Sequence, residues 1–239
     1  ANHISLGQVV VHEKSNEITA IPKLLEILEL SGGLVTIDAM GCQREIAESI
    51  VEAGADYVLA VKGNQPTLHD DLIFFFEDHR ADDFARVNVR RYETYEHGHG
   101  RDEMRFYFIC PVPEYLRNKE RWRKLRAVGL AINNTVRNGK ECIECRYYIL
   151  SKFLSGKRFA EAVRSHWSIE NRLHWQLDVT FQEDQSRIRK GHADANFSSL
   201  RRTALSLLKN NQTKKVGVKN KRLAAALDED YLTQVLVGK

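Results

Sequence analysis

Apolar residues recur at two different periods along this chain, and the period changes twice. Residues 6–12 (LGQVVVH), 34–37 (LVTI) and 57–61 (YVLAV) are short and β-branched or continuously apolar, which predicts strands. Between them, 18–30 places Ile21, Leu24, Leu25 and Leu28 at helical spacing, and 43–53 reads as a helix closed by Gly54. The segment 67–79 is helical again, with Leu68, Leu72, Phe75 and Phe76 on one side. Strands alternating with helices imply a mainly parallel sheet covered by helices. From 85 to 150 the pattern becomes that of hairpins. Runs at 87–95 and 103–110 meet around His97-Gly98-His99-Gly100, and runs at 125–136 and 142–150 meet at Asn138-Gly139. This region is expected to be an antiparallel β insertion or an extension of the sheet. No proline follows Pro113, and from Lys157 onward helices are expected at 157–180, 193–210 and 220–236, with breaks at Asn210-Asn211 and Gly217. The organisation so far is a core segment (1–84), a β insertion (85–150) and a helical part (151–239) completing the core.

Composition adds exclusions. Hydrophobic residues make up 43% and charged residues 28% of 239 positions, an ordinary globular balance. No apolar run approaches the roughly 20 residues that span a bilayer, so no membrane partner is expected. Ala1, Asn2 and His3 do not begin a basic, then apolar, leader, so no secretory signal is expected. Four cysteines in a chain of this length do not make a disulfide scaffold, and a reducing cytoplasm is the default. The net charge of +4 conceals an asymmetry. Residues 151–239 carry 17 Lys and Arg against 9 Asp and Glu, and 187–222 carries 11 basic residues against the single Asp194. Such a stretch suits a polyanion, although a solvated basic helix accounts for the same charge.

Asp38 closes the 34–37 run and precedes the small-residue turn Ala39-Met40-Gly41. Ligands bind at the carboxyl ends of strands in open α/β sheets, which makes Asp38 a candidate catalytic residue; capping of the following helix is the plainer role. Glu170 is the second candidate. On a helix, His166, Glu170 and His174 share one face at i, i+4 and i+8, which suits a metal or simply an exposed polar face. The arrangement is not the His-Glu-x-x-His of zinc proteases. Cys142 and Cys145 do not make a zinc site either, because strand residues three apart face opposite sides. His97 and His99 sit in a turn. Phosphate-cradling glycine motifs are absent from the sequence, so nucleotide-dependent chemistry lacks support. Asp178, Glu183 and Asp184 are expected to bridge Arg187, Arg189 and Lys190. In 198–209, Leu200, Ala204, Leu207 and Leu208 are expected to pack inward, leaving Arg201, Arg202 and Lys209 to solvent or phosphate.

Several of these segments together resemble a known family. They are 6–12 with Lys14-Ser15-Asn16-Glu17-Ile18, Thr36-Ile37-Asp38-Ala39-Met40-Gly41-Cys42-Gln43, Tyr57-Val58-Leu59-Ala60-Val61-Lys62-Gly63-Asn64-Gln65, Gly98-His99-Gly100-Arg101, and His166-Trp167-Ser168-Ile169-Glu170-Asn171. They resemble insertion-sequence transposases of the DDE class, closest to the H-repeat-associated proteins linked to Rhs elements, over nearly the whole chain. The resemblance implies an α/β, RNase H-like mixed sheet with flanking helices, an antiparallel β insertion and a helical C-terminal part. It also implies a site where two aspartates and a glutamate hold two Mg2+ (or Mn2+) ions for DNA strand cleavage and transfer. By this likeness Asp38 matches the second aspartate and Glu170 the glutamate, both catalytic and both metal ligands.

The class commonly has an arginine four residues before the glutamate and a lysine seven after. Here His166 and Leu177 stand at those positions, so Arg164, Arg172 or His174 would take over the phosphate contacts. His166 and His174 would orient the scissile phosphate or Glu170, and Lys62 would touch phosphate. Arg187, Arg189, Lys190, Arg201 and Arg202 would track the DNA backbone of the transposon ends. No aspartate precedes Asp38, and the family's first aspartate lies two strands ahead of 6–12. The resemblance therefore implies an N-terminally truncated chain, weak single-metal binding and little cleavage. An uncovered sheet edge would favour a homodimer. The expected place of work is the bacterial cytoplasm, at the nucleoid. Two further readings stay open: a non-catalytic DNA-binding transposase remnant, and an RNase H-fold nuclease or resolvase.

Overall fold

The computed structural model describes residues 4, 6–9, 17–98, 100–169 and 173–238. The chain divides into two compact units, 11–166 and 167–239 together with the residues before 11, and each is considered by itself. The first unit is built on one six-stranded sheet. Its elements in chain order are α1 (Glu17–Glu26), β1 (Leu34–Ile37), α2 (Arg44–Glu52), β2 (Asp56–Val61), α3 (Pro66–Ala81), β3 (Arg90–Gly98), β4 (Arg101–Pro111), β5 (Ala127–Arg137), β6 (Lys140–Leu150) and α4 (Gly156–Ile169). The strand order is β1-β2-β6-β5-β4-β3, with β1 and β2 parallel and every other neighbour antiparallel.

This is a mixed α/β sheet flanked by helices, as expected. The expectation of a mainly parallel sheet is corrected, because among the described residues only the unit β1–α2–β2 contributes a parallel pair. The hairpins of 85–150 extend the same sheet, since β6 pairs directly with β2. Both hairpins close where the turn residues predicted. Asn138 and Gly139 have φ of 49° and 73°, the two left-handed residues of a type I′ turn. The strand expected at 6–12 is not seen in its described part. Residues 6–9 are irregular, and Gln8 donates its side-chain amide to the Ala195 carbonyl.

Side-chain alternation separates the two sheet faces. Tyr57, Leu59, Val61, Val128, Leu130 and Ile149 point to the side covered by α1, α2 and α3, where Leu25, Ile46, Ile50, Leu72, Phe75 and Phe76 complete the main core. The opposite face receives α4 through Phe159, whose ring meets Tyr107 and Tyr148 edge-on at centroid distances of 6.1 and 5.4 Å. Gly129 makes this approach feasible, because a Cβ there would lie 2.6 Å from Phe159 Cζ. Helix α2 ends as its Gly54 signal predicted. Gly54 (φ 73°) donates to the Val51 carbonyl and Ala55 to that of Ile50, the paired bonds of a Schellman motif.

In the second unit, α5 (Ala193–Asn210) matches the expected 193–210. The expected 220–236 helix is instead two, α6 (Val218–Leu227) and α7 (Glu229–Val237), because Asp228 takes extended φ/ψ and caps α7 by accepting from Tyr231 N at 2.9 Å. Leu208, Tyr231 and Val235 form their shared core. Lys221 is buried and donates to the Leu208 and Asn211 carbonyls at 3.1 and 2.6 Å, satisfying the end of α5. The helix expected over 157–180 is helical in its described parts but changes type toward its end. Helix α4 is described over Gly156–Ile169, residues 170–172 lie outside the described residues, and the segment Gln176–Thr180 is π-helical.

Candidate functional site

Asp38 leaves β1 at its carboxyl end, on the same side-chain parity as Thr36. Its carboxylate is exposed, and one oxygen accepts from Gly41 N at 3.3 Å. Gly41 is required here, since a Cβ would collide with Ile37 and press on Ile21. The turn ends in Cys42, a fully buried thiol that burial pushes up to about 12, which makes it an inert core residue. The β2–α3 loop Lys62-Gly63-Asn64-Gln65 lies against this turn, with Asn64 Nδ2 donating to the Ala39 carbonyl. Lys62 is exposed on that loop. Helix α4 reaches the same strand from the other side, where His166 Nδ1 and Thr36 Oγ1 are 3.3 Å apart. Asp38, Lys62 and His166 are thus borne by neighbouring elements at one end of the parallel pair, where such sheets bind ligands.

A hard divalent cation takes oxygen ligands, and Asp38 offers an exposed carboxylate of that kind. Among the described residues no cluster of three His, Cys, Asp or Glu side chains could hold a metal. Glu170 and Arg172 lie outside the described residues. Whether His166, Glu170 and His174 share one face falls on residues outside those described, and His174 lies in a π-helical stretch. His174 itself is exposed.

Arg164 is tied to the β3–β4 hairpin. Its guanidinium bonds Glu96, which also accepts from Arg105 Nη1 at 2.9 Å, while Arg105 and Arg101 both pair with the buried Glu103. The Arg105 and Arg164 guanidiniums hold the Glu96 carboxyl below the usual carboxylate range. A carboxyl lowered on folding contributes stability above its unfolded value, about 4.3 for Glu, and loses it as pH falls through the folded value. Glu96→Gln is therefore expected to flatten the acid limb of Tm against pH below about pH 4.3. An unchanged acid limb would show that the clamp on Arg164 carries no stability.

In the second unit Arg187, Arg189 and Lys190 are exposed, and none has a carboxylate partner among the described residues. The bridges expected from Asp178, Glu183 and Asp184 are not made. Glu183 instead faces Arg201 at 3.9 Å, and Arg201 also lies over the Phe197 ring at 4.3 Å. With its side chain only 12% exposed, Arg201 is not simply left to solvent. Arg202 is half-buried and donates to Ser198 Oγ. The inward face of α5 is correspondingly rotated, with Leu205 and Leu208 buried and Leu200 63% exposed. Cys142 and Cys145 are exposed on β6 and unpaired with each other, as strand alternation requires. His97 is engaged by Asp102 at 2.5 Å, and His99 lies outside the described residues. Glu96 had no signal in the sequence, because no motif separates a cross-strand partner from any other polar residue, and Asn64 stood only inside the Tyr57–Gln65 segment with no role assigned to it. No described helix is long and apolar enough to cross a membrane.

A family model described as a transposase DDE domain matches residues 1–207. Two similar proteins come from Escherichia coli K12, "Putative protein YbfL" and "H repeat-associated putative transposase YhhI". Each is 41% identical over 98% of this chain and 62% of its own length. "Putative transposase YncI" of Escherichia coli O157:H7 is 44% identical over 99% of this chain and 61% of its own. The chain thus spans about three fifths of the length of these curated relatives.

Proposed function

The chain belongs to the transposase DDE domain family, and from that premise we propose that it serves metal-dependent cleavage and transfer of DNA strands at transposon ends. The observation that carries the reading is the exposed Asp38 carboxylate at the end of β1, beside the Lys62 loop and the His166 helix. Asp38 and Glu170 would hold Mg2+ or Mn2+. Bound there, such ions offset phosphate charge and activate the attacking oxygen. Lys62 supplies a point charge to a phosphate, and His166, braced by Thr36, orients it. His174 and Arg172 add contacts of the same kind. Two carboxylates make a poor cage for a divalent pair, so this polypeptide by itself is expected to bind metal weakly and to cleave little. The compartment is the bacterial cytoplasm, where the DNA is. A homodimer fits the same reading but is not needed for it.

The exposed Arg187, Arg189 and Lys190 are the best-placed DNA contacts; Arg164, Arg201 and Arg202 are partly committed to protein partners. Each neutralised phosphate contributes about −0.9 to the slope of log K against log salt on duplex DNA. Replacing all three exposed residues by Ala is expected to reduce that slope by about 2.7, measured by fluorescence anisotropy across a salt series. An unchanged slope would remove this segment from the DNA interface. The metal half of the reading is tested by Mn2+ titration of the chain and its Glu170→Gln variant, with free Mn2+ read by electron paramagnetic resonance. Weaker binding in the variant supports it. Unaltered binding in both Glu170→Gln and Asp38→Asn would leave the DNA-binding remnant as the better account.

A further inference from the structure

The turn that carries Asp38 is fastened by two consecutive side-chain amides. Asn64 Nδ2 donates to the Ala39 carbonyl at 2.5 Å, and Gln65 Nε2 donates to the Cys42 carbonyl at 2.9 Å. Within the turn, Cys42 N bonds the Ala39 carbonyl at 3.1 Å, Gln43 N that of Gly41 at 2.9 Å, and Gln43 Nε2 that of Met40 at 3.2 Å. The two carbonyls that bracket the turn are therefore both held from the β2–α3 loop.

The position of Gln65 makes this contact informative. It is the N-cap of α3, a place where a side chain normally accepts from the first helical N–H groups, yet it makes no such bond. Gln43, at the N-cap of α2, likewise makes no capping bond. Its side-chain oxygen lies 3.4 Å from Gln65 Nε2. Both helix starts forgo a cap while their side chains serve the Asp38 turn. None of these bonds uses the Asp38 carboxylate.

We propose that Asn64 and Gln65 are positioning residues that hold the Asp38 turn so that its carboxylate meets a divalent cation in one fixed orientation. The purpose assigned to the clamp rests on Asp38 being a metal ligand, whereas the clamp itself does not. Groups that orient a metal ligand typically contribute 10–100-fold in affinity, so the expected effect is of that size.

The test uses the full 239-residue chain with Asn64→Ala and Gln65→Met, alone and together, the second keeping the volume but removing the donor. Amide hydrogen exchange is followed without metal at Cys42 and Gln43, with Leu59 and Ala60 of β2 as internal references. The double variant is expected to speed exchange in the turn about tenfold, as loss of one or two hydrogen bonds implies, while the references stay unchanged. It is also expected to raise the Kd for Mn2+ about tenfold. Unaltered exchange in the turn overturns the clamp whatever the metal does. Faster exchange with unaltered Mn2+ affinity, in a chain whose affinity does fall with Asp38→Asn, overturns its assigned purpose. If Asp38→Asn itself leaves Mn2+ affinity untouched, the metal reading of Asp38 fails, and the exchange data still decide whether the two amides hold the turn.

Discussion

Asp38→Asn is expected to weaken Mn2+ binding by more than the roughly tenfold expected from loss of the Asn64 and Gln65 amides that orient it. The substitution removes the negative charge and keeps the shape. Asn retains an oxygen for Gly41 N, which the carboxylate bonds, so the turn remains closed. Asp38 is exposed, and its replacement adds no cavity, so Tm is expected to change little. A large fall in Tm with unchanged Mn2+ affinity would assign Asp38 to the fold instead of to the metal. Surface substitutions away from special features usually stay within about 0.5 kcal/mol, which sets the scale for that comparison.

Phe159→Ala is expected to cost about 3–5 kcal/mol of unfolding free energy, the range for deleting a buried aromatic ring. The ring is fully buried between Tyr107 and Tyr148, directly over Gly129. The space beneath it is fixed by strand backbone, so it cannot collapse far. Against a typical domain stability of about 5–15 kcal/mol, a loss of that size is a substantial fraction of the whole. Since Phe159 is the aromatic anchor of α4, the Thr36–His166 contact is expected to loosen with it. Urea unfolding of the variant measures the first effect. A cost below about 1 kcal/mol, the centre of the distribution for ordinary point mutants, would show that something other than the ring seats α4.

Much of the first unit was readable because it is built from short periods. The short apolar runs at 34–37 and 57–61, the helix closed by Gly54 and the Asn138-Gly139 hairpin all correspond to observed elements. Each depends on neighbours a few residues apart. The failures share the opposite property. The strand expected at 6–12 had suitable residues, but a strand also needs a partner edge, and its described part has none. Leu200 looked like a core position by spacing alone. The buried face of α5 instead runs through Leu205 and Leu208, with Arg201 shielded beside Glu183 and Phe197.

The candidate site divides in the same way. Asp38 could be found because a charged residue directly after a short apolar run is a local pattern. Lys62 could be found for the same reason, and the likeness to a family pointed to Glu170. The sequence by itself determined most element types of the first unit, the hairpins, the uneven charge and the two carboxylates worth testing. Only the tertiary structure decided that the hairpins continue one sheet, that Glu96 holds Arg164, and that Asn64 and Gln65 grip the Asp38 turn. Periodicity reports the burial of a face, which is set by residues close in the chain. Pairing of one polar group with another is set by distance in space, and residues such as Glu96 and Arg164, 68 positions apart, leave no periodic mark.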